Sequence, residues 1–390
     1  MSAERDLLYV KLSDLAEVTG GVTLGRTIPD AASVELPYLR VANVQDGYID
    51  TSDLKTVRVL QSEVQRFTAR KGDVLITEGG DFDKVGRGAV WDGRFSPCLH
   101  QNHLFRVRCH PGKLLPEYLA IYLASSEGRR YFLSIAKQTT NLASINSSQL
   151  KAMPIPRRRL EDQRRVVEVL EALGKQELAI EAAVAKLDFV EEGLLQSAFE
   201  SRDREGVVSD LGAVVTGTTP PPDWDPVGLE GGIPFFTPSQ VRDAEGTVSG
   251  AERSIARSRA DKIRTIPAGS TVAVCIGFGA GKVALSGVEC CTNQQINAVI
   301  PFQGFDHRFV YLAVRYAMRR AKSLLNLQVT PIINKTDFSQ LPVPVPSETE
   351  QEQLVEKIWA VRTKKSSLIA EKVKLGNLKA GLSSDLLSVV

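Results

Sequence analysis

The feature that most constrains this 390-residue chain is an internal repeat. Ser-Asp-Leu at residues 13–15, followed by Gly21, occurs again at residues 209–211, followed by Gly217, after a shift of 196 residues. A repeat decides the architecture of a whole molecule, so it takes precedence over local patterns. There are two copies and no third, which predicts a tandem duplication with pseudo-twofold character rather than a solenoid.

The two copies also end alike. Asn146 and the Pro-Ile-Pro of residues 154–156 correspond to Asn334 and the Pro-Val-Pro of residues 342–344, at a shift of 188 residues. The shift drifts inside each half, as insertions and deletions in surface loops would produce. Before each Pro-x-Pro, short β-branched runs lie between Gly, Asp and Pro residues, a pattern typical of strands joined by turns.

After each Pro-x-Pro, apolar residues recur at alternating steps of four and three, the spacing of a coiled-coil seam. Acidic residues interrupt the first seam at Glu177 and Glu191, whereas Lys365, Lys372 and Lys379 interrupt the second. Opposite charges favour pairing of the two helices with each other over two separate amphipathic helices, each on its own domain. The expected seam residues are Val166, Leu170, Leu173, Ile180, Val184, Leu187 and Leu194 in the first helix, and Leu354, Ile358, Val361, Leu368, Leu375 and Leu382 in the second.

These patterns predict an α+β fold with two β-rich domains and two long helices that pair as an antiparallel coiled coil. The first domain is expected at residues 1–156 and its helix at 157–204. The second domain is expected at residues 205–346 and its helix at 347–390.

Composition bounds the class only loosely. Five cysteines are too few and too irregularly spaced for a disulfide framework, and the net charge is +2. No apolar stretch approaches the roughly 20 residues that span a bilayer, and no signal peptide is evident at the start. We therefore expect a cytoplasmic protein with no membrane partner.

Two β-rich domains, each closed by a Pro-x-Pro and followed by a long helix, resemble the DNA-specificity subunits of type I restriction–modification systems. The resemblance covers essentially the whole chain, and its most specific part is the ending that occurs twice, at residues 146–167 and 334–355. The openings at residues 15–21 and 211–217 are also similar to those of this family.

The resemblance implies that each half is a target-recognition domain for one part of a split, asymmetric DNA site. The paired helices would set the distance between the parts and dock two adenine-N6 methyltransferase subunits, which nuclease and translocase subunits would join for restriction. The chain would not be catalytic and would bind no cofactor itself, because S-adenosylmethionine, ATP and Mg²⁺ would belong to the partner subunits. A scaffold that has kept this fold without base readout is the alternative, and a stand-alone nuclease is a second one.

Residues 277–283 superficially look like a phosphate-binding loop. The pattern GxxxxGK[ST] requires Gly at the position of Ile276 and Ser or Thr at the position of Val283. We therefore interpret the segment as a Gly-rich turn between strands, equivalent to residues 85–90, with a basic residue in each copy. The chain also lacks an Asn-Pro-Pro-aromatic motif for gripping a flipped adenine, in agreement with methylation by a partner subunit.

The Cys and His residues between positions 98 and 110 raise the question of a zinc site. Their spacing contains no CxxC pair, and the second half keeps Cys290 and Cys291 without a nearby histidine. We interpret them as ordinary strand and turn residues. A loose nuclease-like pattern at residues 29–30 and 53–55 is short enough to arise by chance.

The expected DNA contacts are polar side chains of long reach in loops. Arg can read guanine, and Asn or Gln can read adenine, whereas Lys more often holds phosphate. For each residue, a solvated loop side chain or a local turn bond is the alternative. The candidates are Arg40, Asn43, Lys84, Arg87, Gln101, Asn102, His103 and Gln138 in the first half, and Thr237, Gln240, Arg242, Lys282, Gln294, Gln295 and Gln328 in the second.

Arginines at residues 157–159 and 164–165 cluster at the start of the first helix. Basic residues there oppose the helix dipole, so the cluster either faces DNA or an acidic partner or forms a solvated charge run.

Overall fold

The computed structural model describes residues 8–81, 84–138, 143–200, 205–221, 231–242, 246–325 and 332–387. The chain forms two compact units. Unit 1 consists of residues 1–181 and 370–390, and unit 2 consists of residues 182–369. Each unit therefore contains one globular half of the repeat together with part of both long helices, so the boundaries of the compact units fall inside the helices rather than at their ends.

Unit 1 is built on an antiparallel four-stranded sheet whose neighbouring strands are Ala16–Gly20, Leu104–Cys109, Val74–Thr77 and Gly88–Val90. A second sheet places Ser33–Leu39 between Lys55–Leu60 and Leu99–His100. A small third sheet joins Lys137–Gln138, Ala143–Ser144 and Gly79–Gly80. The helices are Leu12–Leu15, Val64–Phe67, Pro116–Ala124, Ser126–Ile135 and Ser147–Lys151, with 3₁₀ turns at Asp30–Ala32, Val41–Asn43 and Gln61–Glu63.

Unit 2 repeats this plan. Its five-stranded sheet has the order Gly212–Thr216, Ile296–Pro301, Thr271–Val274, Val283–Ser286 and Thr247–Val248. Its second sheet has the order Ser254–Ile255, Ile233–Phe236, Cys290–Thr292 and Thr265–Ile266. The helices are Val208–Leu211, His307–Leu325 and Lys335–Ser339, with a 3₁₀ turn at Arg257–Lys262.

In each half, the first strand pairs with the Pro-x-Pro strand. Tyr9–Lys11 runs antiparallel to Pro154–Pro156, and Glu205–Val207 runs antiparallel to Pro342–Pro344 in the same register. Proline is tolerated here because each strand is at the edge of a two-stranded pair. The predicted duplication is thus confirmed at the level of individual strand pairs.

The helix Pro116–Ala124 shows how the core of unit 1 forms. Proline at the first helical position fits there because its missing N–H would have no partner inside the helix. The side chains of Tyr118, Leu119, Tyr122 and Leu123 are buried, and their spacing places them on one face of the helix. They pack in a core that includes Val74, Ile76 and Val107 of the main sheet.

The long helices are Leu160–Glu200 and Glu348–Leu387. Every predicted seam residue is buried or half-buried. Among the described residues, ion pairs join the helices at four places, and the residue number falls on one helix as it rises on the other. They are Glu177–Lys379 (2.5 Å) and Glu181–Lys372 (2.7 Å) in unit 1, and Asp188–Lys365 and Glu191–Arg362 (2.6 Å) in unit 2. The pairing is therefore antiparallel, as predicted, and the oppositely charged residues of the two helices contact each other.

The heptad pattern does not account for every buried residue of the helices. Leu195 and Phe199 lie outside the predicted seam, yet both are buried in the core of unit 2. The ring of Phe199 lies 6.1 Å from that of Phe309 and 4.9 Å from that of Tyr316. The last turns of the first helix thus pack on the globular domain as well as on the second helix.

Candidate nucleic-acid interface

Three loops of unit 1 meet beyond the ends of its strands. Gln101 N donates to Leu39 O (2.9 Å), which joins the turn after Leu99–His100 to the turn Val41–Asn43. Glu78 N donates to His103 O (3.0 Å), which joins the first of these turns to the loop that follows Val74–Thr77. Backbone bonds therefore fix the positions of the three loops that carry most of the predicted contacts in this half.

The same two bonds occur in unit 2. Asn293 N donates to Phe236 O (3.2 Å), and Cys275 N donates to Gln295 O (2.8 Å). The loop at residues 277–282 joins the antiparallel strands Thr271–Val274 and Val283–Ser286, as the interpretation of a Gly-rich turn requires. A phosphate-binding loop would lead from a strand into a helix, which this segment does not do.

Asn43 and Gln240 occupy equivalent positions and perform the same local task. The Asn43 side-chain oxygen accepts a hydrogen bond from Arg40 N (2.8 Å), and the Gln240 side-chain oxygen accepts one from Thr237 N (2.9 Å). Asn43 is only 3% exposed, and its amide nitrogen donates to two backbone carbonyls. The side chain of Asn43 therefore holds the turn, and a contact with DNA would have to compete with these bonds.

Carboxylates accompany the predicted basic contacts of unit 1. The Arg40 hydrogen bond holds the pKa of Asp53 below its usual value, and the Lys84 hydrogen bond does the same for the pKa of Asp81. DNA would have to compete with these carboxylates for the cations. The pairs are Arg40–Asp53 (2.8 Å), Lys84–Asp81, Arg87–Asp46 (3.2 Å) and His103–Glu78 (2.8 Å).

The loops of unit 2 differ in this respect. Residues 236–242, 275–283 and 292–296 contain no Asp or Glu. Lys282 is half-buried, and its ammonium group has no ion-pair partner among the described residues. Gln294 and Arg242 are exposed, whereas Gln295 is half-buried and its side-chain oxygen accepts a hydrogen bond from Asn293 Nδ2 (2.9 Å). Within these three ranges the charged side chains are therefore Arg242 and Lys282.

For the remaining candidates, the structure gives mainly the burial of the side chain or the pairing of the backbone. Gln101 and Asn102 are half-buried at the turn between the sheets. Gln138 is described only through its backbone, which pairs with Ala143, and Gln328 lies outside the described residues. At the start of the first long helix, Arg159 pairs with Asp162 (3.2 Å) and Arg165 with Glu161 (3.1 Å).

The Cys and His segment of unit 1 is part of the fold. Because the Phe67 carbonyl can only accept, His100 Nδ1 donates to Phe67 O (2.8 Å). Burial lowers the pKa of His100 to about 4 and raises the pKa of Cys98 to about 12. No group of three or more His, Cys, Asp or Glu residues suited to a metal ion occurs in the described part of the chain.

Phe278 is a candidate contact that a pattern of polar loop residues does not indicate. Its side chain is 98% exposed at the tip of the Gly-rich loop of unit 2. The sequence signal for this residue is a Phe between two glycines within a predicted turn, because a side chain at a loop tip is too far from the core to be buried there.

Two homologous α+β domains that share a pair of antiparallel helices, each with a matched set of loops beyond its sheets, define a duplicated reader of the specificity-subunit class. The family model described as the type I restriction modification DNA specificity domain matches residues 5–187 and 206–374. The chain belongs to this family. Specificity subunits are non-catalytic components that act with other subunits and DNA in type I restriction–modification systems.

Similar proteins agree with this assignment. A putative type I restriction enzyme MjaX specificity subunit of Methanocaldococcus jannaschii is 22% identical over 94% of this chain and 91% of its own length. The EcoKI specificity subunit of Escherichia coli is 26% identical over 48% of this chain and 41% of its own length.

Solved structures confirm the fold. The type I S subunit of M. genitalium has a TM-score of 0.59 at 12% identity, over 98% of this chain and 96% of its own. The HsdS subunit of Thermoanaerobacter tengcongensis has a TM-score of 0.54 at 16% identity, over 97% of this chain and 96% of its own. Within the described ranges, no helix combines the length and apolar character needed to cross a membrane.

Proposed function

We propose that the chain reads a bipartite, asymmetric site in double-stranded DNA, one half with each globular domain. The observation that carries this proposal is the pair of equivalent loop sets, which are held by the same backbone bonds but present different side chains. Arg40 is replaced by Thr237 and His103 by Gln295 at matched positions. Because hydrogen-bonding groups determine which base edge is read, the two half-sites should differ in sequence.

The long helices would serve two further tasks. A rigid spacer between two readers matches a split site by geometry, so the paired helices would set the separation of the half-sites. They would also dock two adenine-N6 methyltransferase subunits, with nuclease and translocase subunits joining for restriction. The family membership and the ion-paired helices support this division of labour.

S-adenosylmethionine, ATP and Mg²⁺ would belong to those partner subunits, and none would bind this chain. The Gly-rich loop supports this proposal, because Ile276 and Val283 replace the residues that a phosphate-binding loop requires.

The test is methylome sequencing of the native host beside a strain deleted for this gene. We expect one split adenine-methylation motif to disappear on deletion and to return with the wild-type gene. Complementation with a variant carrying Q294A and Q295A should relax only the half-site that unit 2 reads. Alanine at Asn102 and His103, the equivalent positions of unit 1, is the matched control, and it should relax only the other half.

Persistence of every motif in the deletion strain would contradict active site-specific methylation by this system. DNA binding by the purified chain with its methyltransferase subunits then decides the matter. A complex that assembles but binds its DNA without sequence preference would establish the scaffold function instead.

A further inference from the structure

Phe278 is the most exposed large apolar side chain among the described residues. It lies between Gly277 and Gly279, and Gly277 has a φ of +89°. A positive φ is a backbone conformation that glycine adopts without steric cost, so the loop can turn sharply and present the ring at its tip. Exposure of a Phe ring is unfavourable by about 2 kcal/mol relative to burial, so the folded chain gains no stability from this position.

The surroundings of the ring are polar. The loop continues to Lys282, and the adjacent turns carry Thr237, Ser239, Gln294 and Gln295. A Cβ added at Gly279 would lie 3.7 Å from Pro238, so the loop and the turn at residues 237–240 are in contact. At the base of the loop, Ile276 forms a backbone bridge with Ile332, which is 53% exposed and is a further apolar side chain near Phe278. Protein-binding surfaces present larger contiguous apolar patches than these side chains form among the described residues.

The charge of the loops around Phe278 indicates the kind of partner that they bind. Residues 237–242, 277–282 and 293–295 around Phe278 contain no carboxylate, although Asp243 and Glu245 follow the first of these segments in the sequence. Lys282 has no ion-pair partner among the described residues. These loops therefore favour a polyanion as the partner over a protein surface that carries both positive and negative charges.

We propose that Phe278 is a wedge that inserts between neighbouring base pairs in the half-site read by unit 2. An apolar side chain that enters a base step partly unstacks it and bends the duplex, and the nearby Lys282 would hold a phosphate beside the opened step. The inference rests on the proposed function. The wedge would make the affinity for DNA depend on how easily a base step unstacks, in addition to the hydrogen bonds at base edges.

The experiment uses the full chain with its methyltransferase subunits and duplexes that carry the methylated motif of the host. 2-Aminopurine replaces one adenine at a time in the unit 2 half-site, outside the methylated adenines, because methyltransferases flip their target base. With the wild-type chain, fluorescence should rise at one step as the base unstacks. F278A should abolish this rise and weaken binding about tenfold, within the range for loss of a base-stacking side chain.

Two variants serve as controls. F278W keeps a flat ring and should retain the fluorescence rise. F302A removes a half-exposed phenylalanine at the other end of the strand Ile296–Pro301 and should behave as wild type. Because Phe278 is 98% exposed, F278A should leave the unfolding temperature unchanged, so lost binding cannot be ascribed to misfolding.

Retention of both the affinity and the fluorescence rise in F278A would overturn the wedge. So would a wild-type complex that binds its motif specifically yet shows no rise at any step, and in both cases the proposed function stands. A wild-type complex that does not prefer its own motif to a scrambled duplex would overturn the wedge and the proposed function together.

Discussion

The Glu191 carboxylate accepts hydrogen bonds from the Arg362 guanidinium at 2.6 and 3.1 Å, although its side chain is only 8% exposed. Arg315 donates to the same oxygen at 2.7 Å. Burial opposes ionisation of Glu191, but the bonds from Arg362 and Arg315 hold its pKa below the usual value. Removal of Glu191 would leave two largely buried cations unpaired. We expect E191A to lower the free energy of unfolding by about 3–5 kcal/mol.

The matched control is E181A, which breaks the exposed pair of Glu181 with Lys372 on the same helices. Solvent screens such a pair, so its loss should cost about 1 kcal/mol or less. Calorimetric unfolding of the intact chain measures both variants. Equal unfolding temperatures for E191A and E181A would show that the buried ion pair of Glu191 stabilises the fold no more than the exposed pair of Glu181 does.

His100 should make unit 1 sensitive to mild acid. Burial lowers its pKa from about 6.5 to about 4, so the unfolded state binds a proton that the folded state excludes between these values. Stability therefore falls as the pH decreases through this window, by about 2 kcal/mol between pH 7 and pH 5. The pKa of Glu191 is lowered, so this carboxylate remains ionised in the same window.

The variant H100T tests this dependence, because Thr292 occupies the equivalent strand position in unit 2. Its unfolding free energy should vary less between pH 7 and pH 5 than that of the wild type, whatever its absolute stability. Hydrogen exchange in the strand Val74–Thr77 reports unit 1 separately. An unchanged pH dependence in H100T would assign the acid sensitivity to other groups.

Asn43 and Gln240 cap equivalent turns in the two units, but they should differ in how much they contribute to stability. N43A removes the acceptor for Arg40 N and two further bonds from a buried site, so we expect a loss of about 2–3 kcal/mol. Gln240 is half-buried, and Q240A should cost about 1 kcal/mol. Chemical denaturation of the two variants gives the comparison, and a larger loss in Q240A would contradict it.

Lys282 and Arg87 should contribute differently to the salt dependence of DNA binding. A lysine that neutralises a phosphate changes the slope of log affinity against log salt by about one, so K282A should reduce the slope by that amount. Arg87 is already paired with Asp46, and R87A should reduce the slope by less. Titrations between low and physiological salt measure both slopes. Equal reductions would show that Asp46 does not compete with phosphate.

The sequence predicts those parts of the molecule that depend on patterns of residues close together along the chain or repeated in it. The duplication, the strand Val74–Thr77 and the antiparallel helices follow from repeat, turn residues and heptads, and the structure has all of them. The role of Asn43 could not be predicted in this way, because its partners depend on how one turn folds back on itself. The burial of Phe199 depends on Phe309, which is 110 positions away and provides no pattern that a heptad count detects.

The strand pairs that close each domain have a consequence for how such a chain can change. Because Tyr9–Lys11 lies hydrogen-bonded beside Pro154–Pro156, the polypeptide enters and leaves the first globular domain at the same place, and the second domain repeats this at Glu205–Val207. Segments whose ends lie close together tolerate insertion and replacement well. We therefore expect that each globular domain can be exchanged as a unit between two fixed anchor strands, with the paired helices unaltered.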